Sequence, residues 1–278
     1  MTRNKFSVFI LLIGLLISST TSLFSQYNEK DVEFREYLKK HLNMEELEND
    51  PILAYSESDS IIDEINIVTD SLFNARFYNL LGKLNGNKGN ARIAIEYFNT
   101  ADDYYDRSKP VRFFVHNYLD RGNIYYKIKN IEKAEEDYNL ALELATILND
   151  QYGLATSYNN LGLLNLQENQ LEKVLTNFKM AYEIRLALND SFLIGHSMGN
   201  LAMYEFHSGN FSESINRYKS ALMLLKNIPN PDLRTQNEIS RLHNDLGYAC
   251  FKEGKPEMAR KSALMSINYA KKLEEKRL

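Results

Sequence analysis

Cysteine is nearly absent from this sequence: Cys250 is the only one among 278 residues. A single thiol cannot form a disulfide within the chain, so its stability must come from packing, and we expect Cys250 to be a small buried side chain. The chain has 33 Lys and Arg against 37 Asp and Glu and no basic cluster. A mildly acidic chain of this kind is a poor candidate for nucleic-acid binding, and we expect no nucleic-acid partner.

Motifs for metals and phosphates are also missing. The five histidines form neither an H-E-x-x-H motif nor a pair four residues apart, and no cysteine lies near them. The Gly-rich segment 85–90 lacks the Lys-Ser/Thr that a phosphate-binding loop needs. We therefore predict neither a metal site nor a cofactor.

One segment does match a catalytic motif. Residues 195–199 read Gly-His-Ser-Met-Gly, the G-x-S-x-G pattern of serine hydrolases, in which a strand-to-helix turn exposes the serine. Ser197, however, aligns with Ser157 and Asn117 in the interior of predicted helices. We interpret the match as a coincidence and predict that the protein is not an enzyme.

The N-terminus resembles a targeting segment. Arg3 and Lys5 precede an apolar run over residues 6–17, and small polar residues follow. This order predicts a secretory signal peptide, residues 1–25, cleaved after Ser25, and hence an exported protein, periplasmic or secreted. An uncleaved membrane anchor is the alternative, but the run is shorter than the ~20 residues that span a bilayer. Later apolar stretches are shorter still, so we expect no stable membrane span after cleavage.

From the predicted cleavage site to the end, the chain repeats itself every forty residues, which indicates a repeat array. Small residues form two columns, and an aromatic column lies between them. The columns are Ala54, Ala94, Ala134, Val174 and Ser214; Ser58, Phe98, Tyr138, Phe178 and Tyr218; and Ile61, Ala101, Ala141, Ala181 and Ala221. A further column, mostly glycine, contains Leu42, Gly82, Gly122, Gly162 and Ala202, and returns five residues late at Gly247.

Each repeat contains two predicted helices. Apolar residues from Leu72 to Leu84 and from Ala91 to Ala101 fall at helical spacing, and residues 85–90 interrupt them with turn-forming types. A mid-helix glycine costs about 1 kcal/mol relative to alanine, so we expect Gly82, Gly122 and Gly162 to lie where an aromatic ring approaches too closely for a side chain.

Polar residues at the predicted helix starts indicate caps. The position after each intra-repeat turn is Asn90, Asn130, Gln170, Asn210 or Lys255, and we expect Asn there to cap the following helix. Between repeats the equivalent residues are Asp70, Pro110, Asp150, Asp190 and Asn230. We expect Asp to cap the next helix and Pro110 to lie in a first helical turn.

These residues resemble the tetratricopeptide repeat (TPR). The resemblance rests on Leu81-Gly82, Gly122 with Tyr125, Leu161-Gly162 and Leu246-Gly247, together with the small and aromatic columns. It implies an all-α fold over residues 26–278: an α-solenoid of about six helix-turn-helix repeats forming a right-handed superhelix. The segments Tyr158-Asn159-Asn160-Leu161-Gly162 and Leu148-Asn149-Asp150 resemble the long-repeat form common in exported sensory regions of Bacteroidetes regulators. In those proteins a membrane helix and a LuxR-type or histidine-kinase output domain follow the repeats.

In tetratricopeptide arrays, ligands usually lie in a concave groove lined by the first helices. Counting from the glycine column gives a lining of amide, imidazole and cationic groups without carboxylates, which favours an extended peptide or an acidic segment. The predicted lining is Arg76, Asn79, Lys83, His116, Asn123, Lys127, Thr156, Asn159, Gln167, His196, Met203, His207, Arg241, Asn244 and Lys252. A hydrated groove without a dedicated ligand is the alternative.

The last helix, predicted over 256–278, has no following helix to cover its outer side. Leu264 and Leu273 therefore favour a homodimer through the C-terminal repeat, or a downstream domain. The leading hypothesis is an exported non-enzymatic scaffold that binds a protein or peptide. The alternative is a detached or truncated sensory region of a membrane-bound signal-transduction regulator.

Overall fold

The computed structural model describes residues 71–275, which contain ten α-helices and no strand. The predicted signal peptide and the first predicted repeat, up to Asp70, lie outside the described residues. The helices are α1 (Ser71–Asn87), α2 (Ala91–Asp103), α3 (Arg112–Lys127), α4 (Ile131–Ile147), α5 (Gln151–Gln167), α6 (Leu171–Ala187), α7 (Ser191–His207), α8 (Phe211–Lys226), α9 (Leu233–Lys252) and α10 (Pro256–Glu275). The prediction of paired helices is confirmed for these five pairs.

The chain forms two compact units, the first ending at Asp106 and the second beginning at Arg107. In the first unit α1 packs against α2. Tyr78 on α1 is buried, and its ring stacks on Tyr97 and Tyr104 with centroids 6.2 and 5.9 Å apart. In the second unit each helix from α3 to α10 packs against the next, and the first helices α3 and α5, and α7 and α9, also touch.

Packing within each pair follows the predicted columns. Phe98, Tyr138 and Phe178 are each 1% exposed, and Tyr218 is 2% exposed. A Cβ added to Gly162 would lie 2.5 Å from two ring atoms of Phe178, well inside van der Waals contact. The same construction at Gly82 and Gly122 meets Phe98 and Tyr138 at 2.7 Å. The predicted steric role of these glycines is therefore confirmed.

Most helices are followed by a residue in the left-handed backbone conformation. Lys129, Asn169 and three glycines adopt positive φ at the turns within repeats, as do Asn149, Asn189 and Asn230 between them. The next residue usually donates its N–H to the carbonyl five residues back, as from Asn130 to Tyr125 at 2.9 Å, which is the bond of a Schellman motif. Gly and Asn recur there because they tolerate positive φ best.

The predicted caps are only partly present. The side chains of Asn130 and Asp190 accept from the backbone N–H three residues on, as expected. Asn90, Gln170 and Asn210 make no side-chain cap. Asn90 Nδ2 and Gln170 Nε2 donate to Asn85 and Glu168, and the Gln170 oxygen that would serve as the cap accepts no hydrogen bond.

The predicted caps between repeats need three corrections. Asp150 makes no cap, and its carboxylate lies 3.5 Å from the Arg112 guanidinium. Pro110 precedes the N-cap of α3, Val111, and is therefore outside the first helical turn. Asn230 adopts φ +48°, and Asp232 caps α9 in its place, because the local insertion delays the helix start by two residues.

The outer side of α10 is open, as predicted, but not at both expected leucines. Leu264 is 50% exposed, whereas Leu273 is only 4% exposed and belongs to the interior. Ile267, also 50% exposed, extends the apolar surface instead. No helix in the described range 71–275 has the length and apolar character needed to cross a membrane.

Candidate ligand-binding face

A chain of side-chain amides joins three first helices of the second unit. Asn123 on α3 accepts from the Nδ2 of Asn160 on α5 at 3.1 Å, and from the Tyr138 hydroxyl at 2.9 Å. Asn159 Nδ2 donates to Asn160 Oδ1 at 3.3 Å, and Asn159 Oδ1 accepts from Asn200 Nδ2 on α7 at 2.7 Å. Each amide therefore fixes the orientation of the next along the row.

An ionic cluster continues this row onto α9. Asn200 Nδ2 lies 3.4 Å from His196 Nε2, and His196 Nδ1 lies 3.0 Å from Glu238 Oε1. Arg241 donates to Glu238 through Nε and Nη2, and its Nη1 donates to Asp245 at 3.0 Å. We call the surface formed by these residues the amide face; its members are Asn123, Asn159, Asn160, His196, Asn200, Glu238, Arg241 and Asp245.

Electrostatics determine the protonation of this cluster. Burial lowers the pKa of His196, although the hydrogen bond to Glu238 opposes the shift, so the ring is neutral at pH 7. Burial alone would raise the pKa of Glu238, but the hydrogen bonds from His196 and Arg241 outweigh it and lower the pKa to about 2. A neutral His196 beside a carboxylate must carry its proton on Nδ1, which leaves Nε2 to accept from Asn200.

Arg185 approaches this face from a second helix, α6. Its Nη1 donates to Ser197 Oγ at 2.8 Å and to Asn159 Oδ1 at 3.2 Å. The residue is only 4% exposed, and burial lowers the pKa of its guanidinium to about 10. Arg185 is therefore a buried cation at neutral pH, hydrogen-bonded to uncharged oxygens.

The structure divides the predicted groove residues between the two units. Arg76, Asn79 and Lys83 belong to the first unit; Asn79 is 6% exposed, and the other two are half-buried. In the second unit four predicted residues are members of the amide face, while two others, Lys127 and Asn244, are exposed. The four members are Asn123, Asn159, His196 and Arg241, and the predicted His116 is half-buried on α3.

The predicted lining contains no carboxylates, but the structure places two of them beside it on α9. Glu238 and Asp245 are both bonded to Arg241, so this arginine is paired within the protein. The sequence comparison also missed Arg185 and Asn200. Counting from Gly247 excluded Glu238, which lies about two and a half helical turns before that glycine. The i,i+3 and i,i+4 spacing of Glu238, Arg241 and Asp245 was the available signal.

The serine-hydrolase motif has no catalytic geometry. Ser197 lies inside α7, is 1% exposed and accepts a hydrogen bond from Arg185. This confirms the interpretation of the motif as a coincidence, since the nucleophile elbow needs an exposed serine after a strand. Cys250 is buried and unpaired as predicted, and burial raises the pKa of its thiol. Residues 71–275 contain no cluster of three potential metal ligands.

Comparisons with known proteins agree with this architecture. Tetratricopeptide repeat models match residues 75–106 and 115–187. Over these residues the chain matches the tetratricopeptide-repeat family, and its described helices have an all-α repeat fold. A search of curated proteins found no match.

Several solved structures share the fold. BtubC (BKLC) from P. vanneervenii is 18% identical, with 79% of this chain and 90% of that one covered and a TM-score of 0.65. A Rap protein complexed with Competence and Sporulation Factor is 18% identical over 79% of this chain and 60% of that one, with a TM-score of 0.64. The apo form of RapI is 14% identical over 89% and 100%, with a TM-score of 0.60. Identities this low show the fold alone.

Proposed function

We propose that this protein is an exported, non-enzymatic scaffold that binds a protein or an extended peptide along the amide face. The observation that carries the proposal is the row of asparagine amides joining α3, α5 and α7. Asn159, Asn160 and Asn200 are buried and bonded to one another, so the row fixes the first helices. The half-buried and exposed polar side chains beside the row are then left to hydrogen-bond a peptide backbone. The Rap protein in complex with Competence and Sporulation Factor supports ligand binding by this fold.

The charge of the face modifies the earlier expectation about the ligand. Arg241 is occupied by Glu238 and Asp245, so it contributes little attraction for an acidic segment. We therefore expect the accessible polar side chains of the first helices, such as Asn123, Lys127 and Asn244, to provide most of the general affinity, with any preference for acidic partners coming from cations other than Arg241.

Export rests on the N-terminal sequence, where Arg3 and Lys5 precede the apolar run. N-terminal sequencing of the protein recovered outside the cytoplasm should read from Gln26. A chain retained inside the cell with its original N-terminus would contradict export. The alternative role, a sensory region of a membrane-bound regulator, would use the same face for its signal.

Binding can be tested with the full-length chain and a displayed library of random twelve-residue peptides. Enriched peptides are then titrated by fluorescence polarisation against paired variants. Lys127→Glu with Asn244→Arg changes two exposed residues that adjoin the amide face: Lys127 lies one turn after Asn123, and Asn244 donates to Asp245. Lys173→Glu with Asn216→Arg makes the same changes on the exposed sides of α6 and α8. We expect the first pair to weaken binding about tenfold or more, and the second to leave it within about twofold. Equal effects of both pairs would refute the assignment of the face.

A homodimer through α10 is part of the proposal as well. Leu264 and Ile267, both half exposed, give its outer side an apolar surface. Light scattering at increasing protein concentration should show a dimer that Leu264→Asp with Ile267→Asp abolishes. A wild-type chain that stays monomeric at every concentration would contradict it.

A further inference from the structure

Arg185 departs from the pattern of the repeat in which it lies. The residues forty positions before and after it, Ala145 and Leu225, are both 0% exposed. The repeat therefore uses this position as apolar core, yet α6 places there a guanidinium that is 4% exposed. Burying a cation without a charged partner is costly, and positions that break the local rule are often kept for function.

The guanidinium is incompletely satisfied. Its Nη1 donates to two neutral oxygens, while its Nε is buried without a partner. Nη2 makes no hydrogen bond within residues 71–275 and, unlike Nε, is not sealed from solvent. No carboxylate in the described range reaches Arg185 at ion-pair distance, so at least one donor remains for an incoming acceptor.

The nearby carboxylates are occupied elsewhere. Asp190 accepts from the backbone of Leu193 as the cap of α7, and Glu238 is held by His196 and Arg241. A second cation, Arg234, acts electrostatically on the Arg185 guanidinium, and the charges of Asp190 and Glu238 partly offset it. Arg234 is stacked 4.0 Å over the Phe192 ring, and that ring stacks on His196 with centroids 6.3 Å apart. This stack holds Arg234 beside the amide face.

We infer that Arg185, assisted by Arg234, is the anchor for a carboxylate of the bound peptide. The site rests on the proposed function and specifies its ligand chemistry: a peptide with an acidic side chain or a free C-terminal carboxylate. The carboxylate accepts from Nη2 of Arg185, while Asn159 and Ser197 continue to accept from Nη1. A charge-assisted hydrogen bond of this kind is stronger than the neutral ones that Arg185 now makes.

Three peptide libraries test the anchor with the full-length chain. The first has free C-termini, the second is C-terminally amidated, and the third is amidated and contains no Asp or Glu. The variants are Arg185→Met, which keeps an unbranched apolar side chain in the core, and Arg260→Met, which removes an arginine from the exposed surface of α10. Arg185→Lys keeps the charge but loses the planar fork of donors.

The wild-type chain should prefer carboxylate-bearing peptides over the third library by about tenfold or more. Arg185→Met should lose that preference while binding third-library peptides as tightly as the wild type, Arg185→Lys should retain part of it, and Arg260→Met all of it. If wild-type protein preferred the first library but not the second over the third, the bound carboxylate would be the peptide C-terminus.

Other results would overturn the anchor. Equal carboxylate preference in Arg185→Met and wild type would refute it while leaving the proposed function intact. Weaker binding of neutral peptides by Arg185→Met would mean that Arg185 only supports Asn159 and Ser197. Failure of all three libraries to bind would refute both proposals.

Discussion

Replacing Gly162 by alanine tests how closely the helices of one repeat approach each other. The new Cβ would lie 2.5 Å from Cδ1 and Cε1 of Phe178, a ring that is 1% exposed and has little space to move. Overpacking of this kind typically costs 1–3 kcal/mol, whereas the higher helix propensity of alanine returns about 1 kcal/mol. We expect a net destabilisation of up to about 2 kcal/mol, or a decrease of up to roughly 8 °C in Tm.

Gly247 provides the matched control, because it occupies the same column opposite Ala263, where the aromatic is missing. A Cβ there would meet nothing closer than the backbone oxygen of Ala259 at 3.4 Å. Gly247→Ala should therefore raise Tm by roughly 2–4 °C, since only the gain in propensity remains. Both substitutions are alike in sequence, so only packing distinguishes them.

Thermal unfolding gives the sign of each change, and hydrogen exchange locates it in α5 and α6 or in α9 and α10. The local measurement matters because repeat arrays need not unfold in one step. Phe178→Leu should recover part of the loss in the Gly162→Ala background, as expected for two residues in contact. If Gly162→Ala proved as stabilising as Gly247→Ala, close approach to Phe178 could not explain the glycine column.

Two further predictions concern buried groups. The folded pKa of Glu238, about 2, lies below its ordinary 4.5, so its contribution to stability is present above about pH 4.5 and is lost as the pH falls toward 2. The free energy of unfolding, measured in urea between pH 2 and 7, should show this loss, on the order of 3 kcal/mol, in the wild type and not in Glu238→Gln. If the two proteins lost stability equally as the pH fell, the lowered pKa of Glu238 would be contradicted. Cys250 is 0% exposed, so a thiol reagent should modify it only as fast as the chain opens, and rapid labelling of the native protein would refute its burial.

Much of the fold could be predicted because the same residues pack in the same way in each repeat, so the pattern recurs in the sequence. Phe98, Tyr138 and Phe178 recur at one spacing, and each meets the glycine of its own repeat. Helix starts were less predictable, because capping depends on what else a side chain can reach. Asn130 caps its helix, whereas Asn90, in the equivalent position, donates to Asn85 instead.

The amide face could be predicted only in part. Counting from the glycine column identifies side chains that share a direction on equivalent helices, and it found Asn123, Asn159 and His196. It cannot identify a residue from the other helix of a pair, such as Arg185, nor partners that depend on the spacing between neighbouring repeats. The link between His196 and Glu238 spans 42 residues, slightly more than one period, because the insertion before α9 shifts its register.

In this fold, different residues serve stability and ligand recognition. The columns that hold each helix pair together face the interior, so the exposed sides of the first helices can vary without weakening the core. Arg185 is the exception, because it occupies a core position with a side chain suited to recognition. Burying a charge without a charged partner is costly, and replacing even a paired buried charge by apolar side chains of similar volume is often neutral or stabilising. We therefore expect Arg185→Met to match or exceed the wild type in Tm while losing the carboxylate preference; a lower Tm would show that its bonds to Asn159 and Ser197 outweigh the cost of burying the charge.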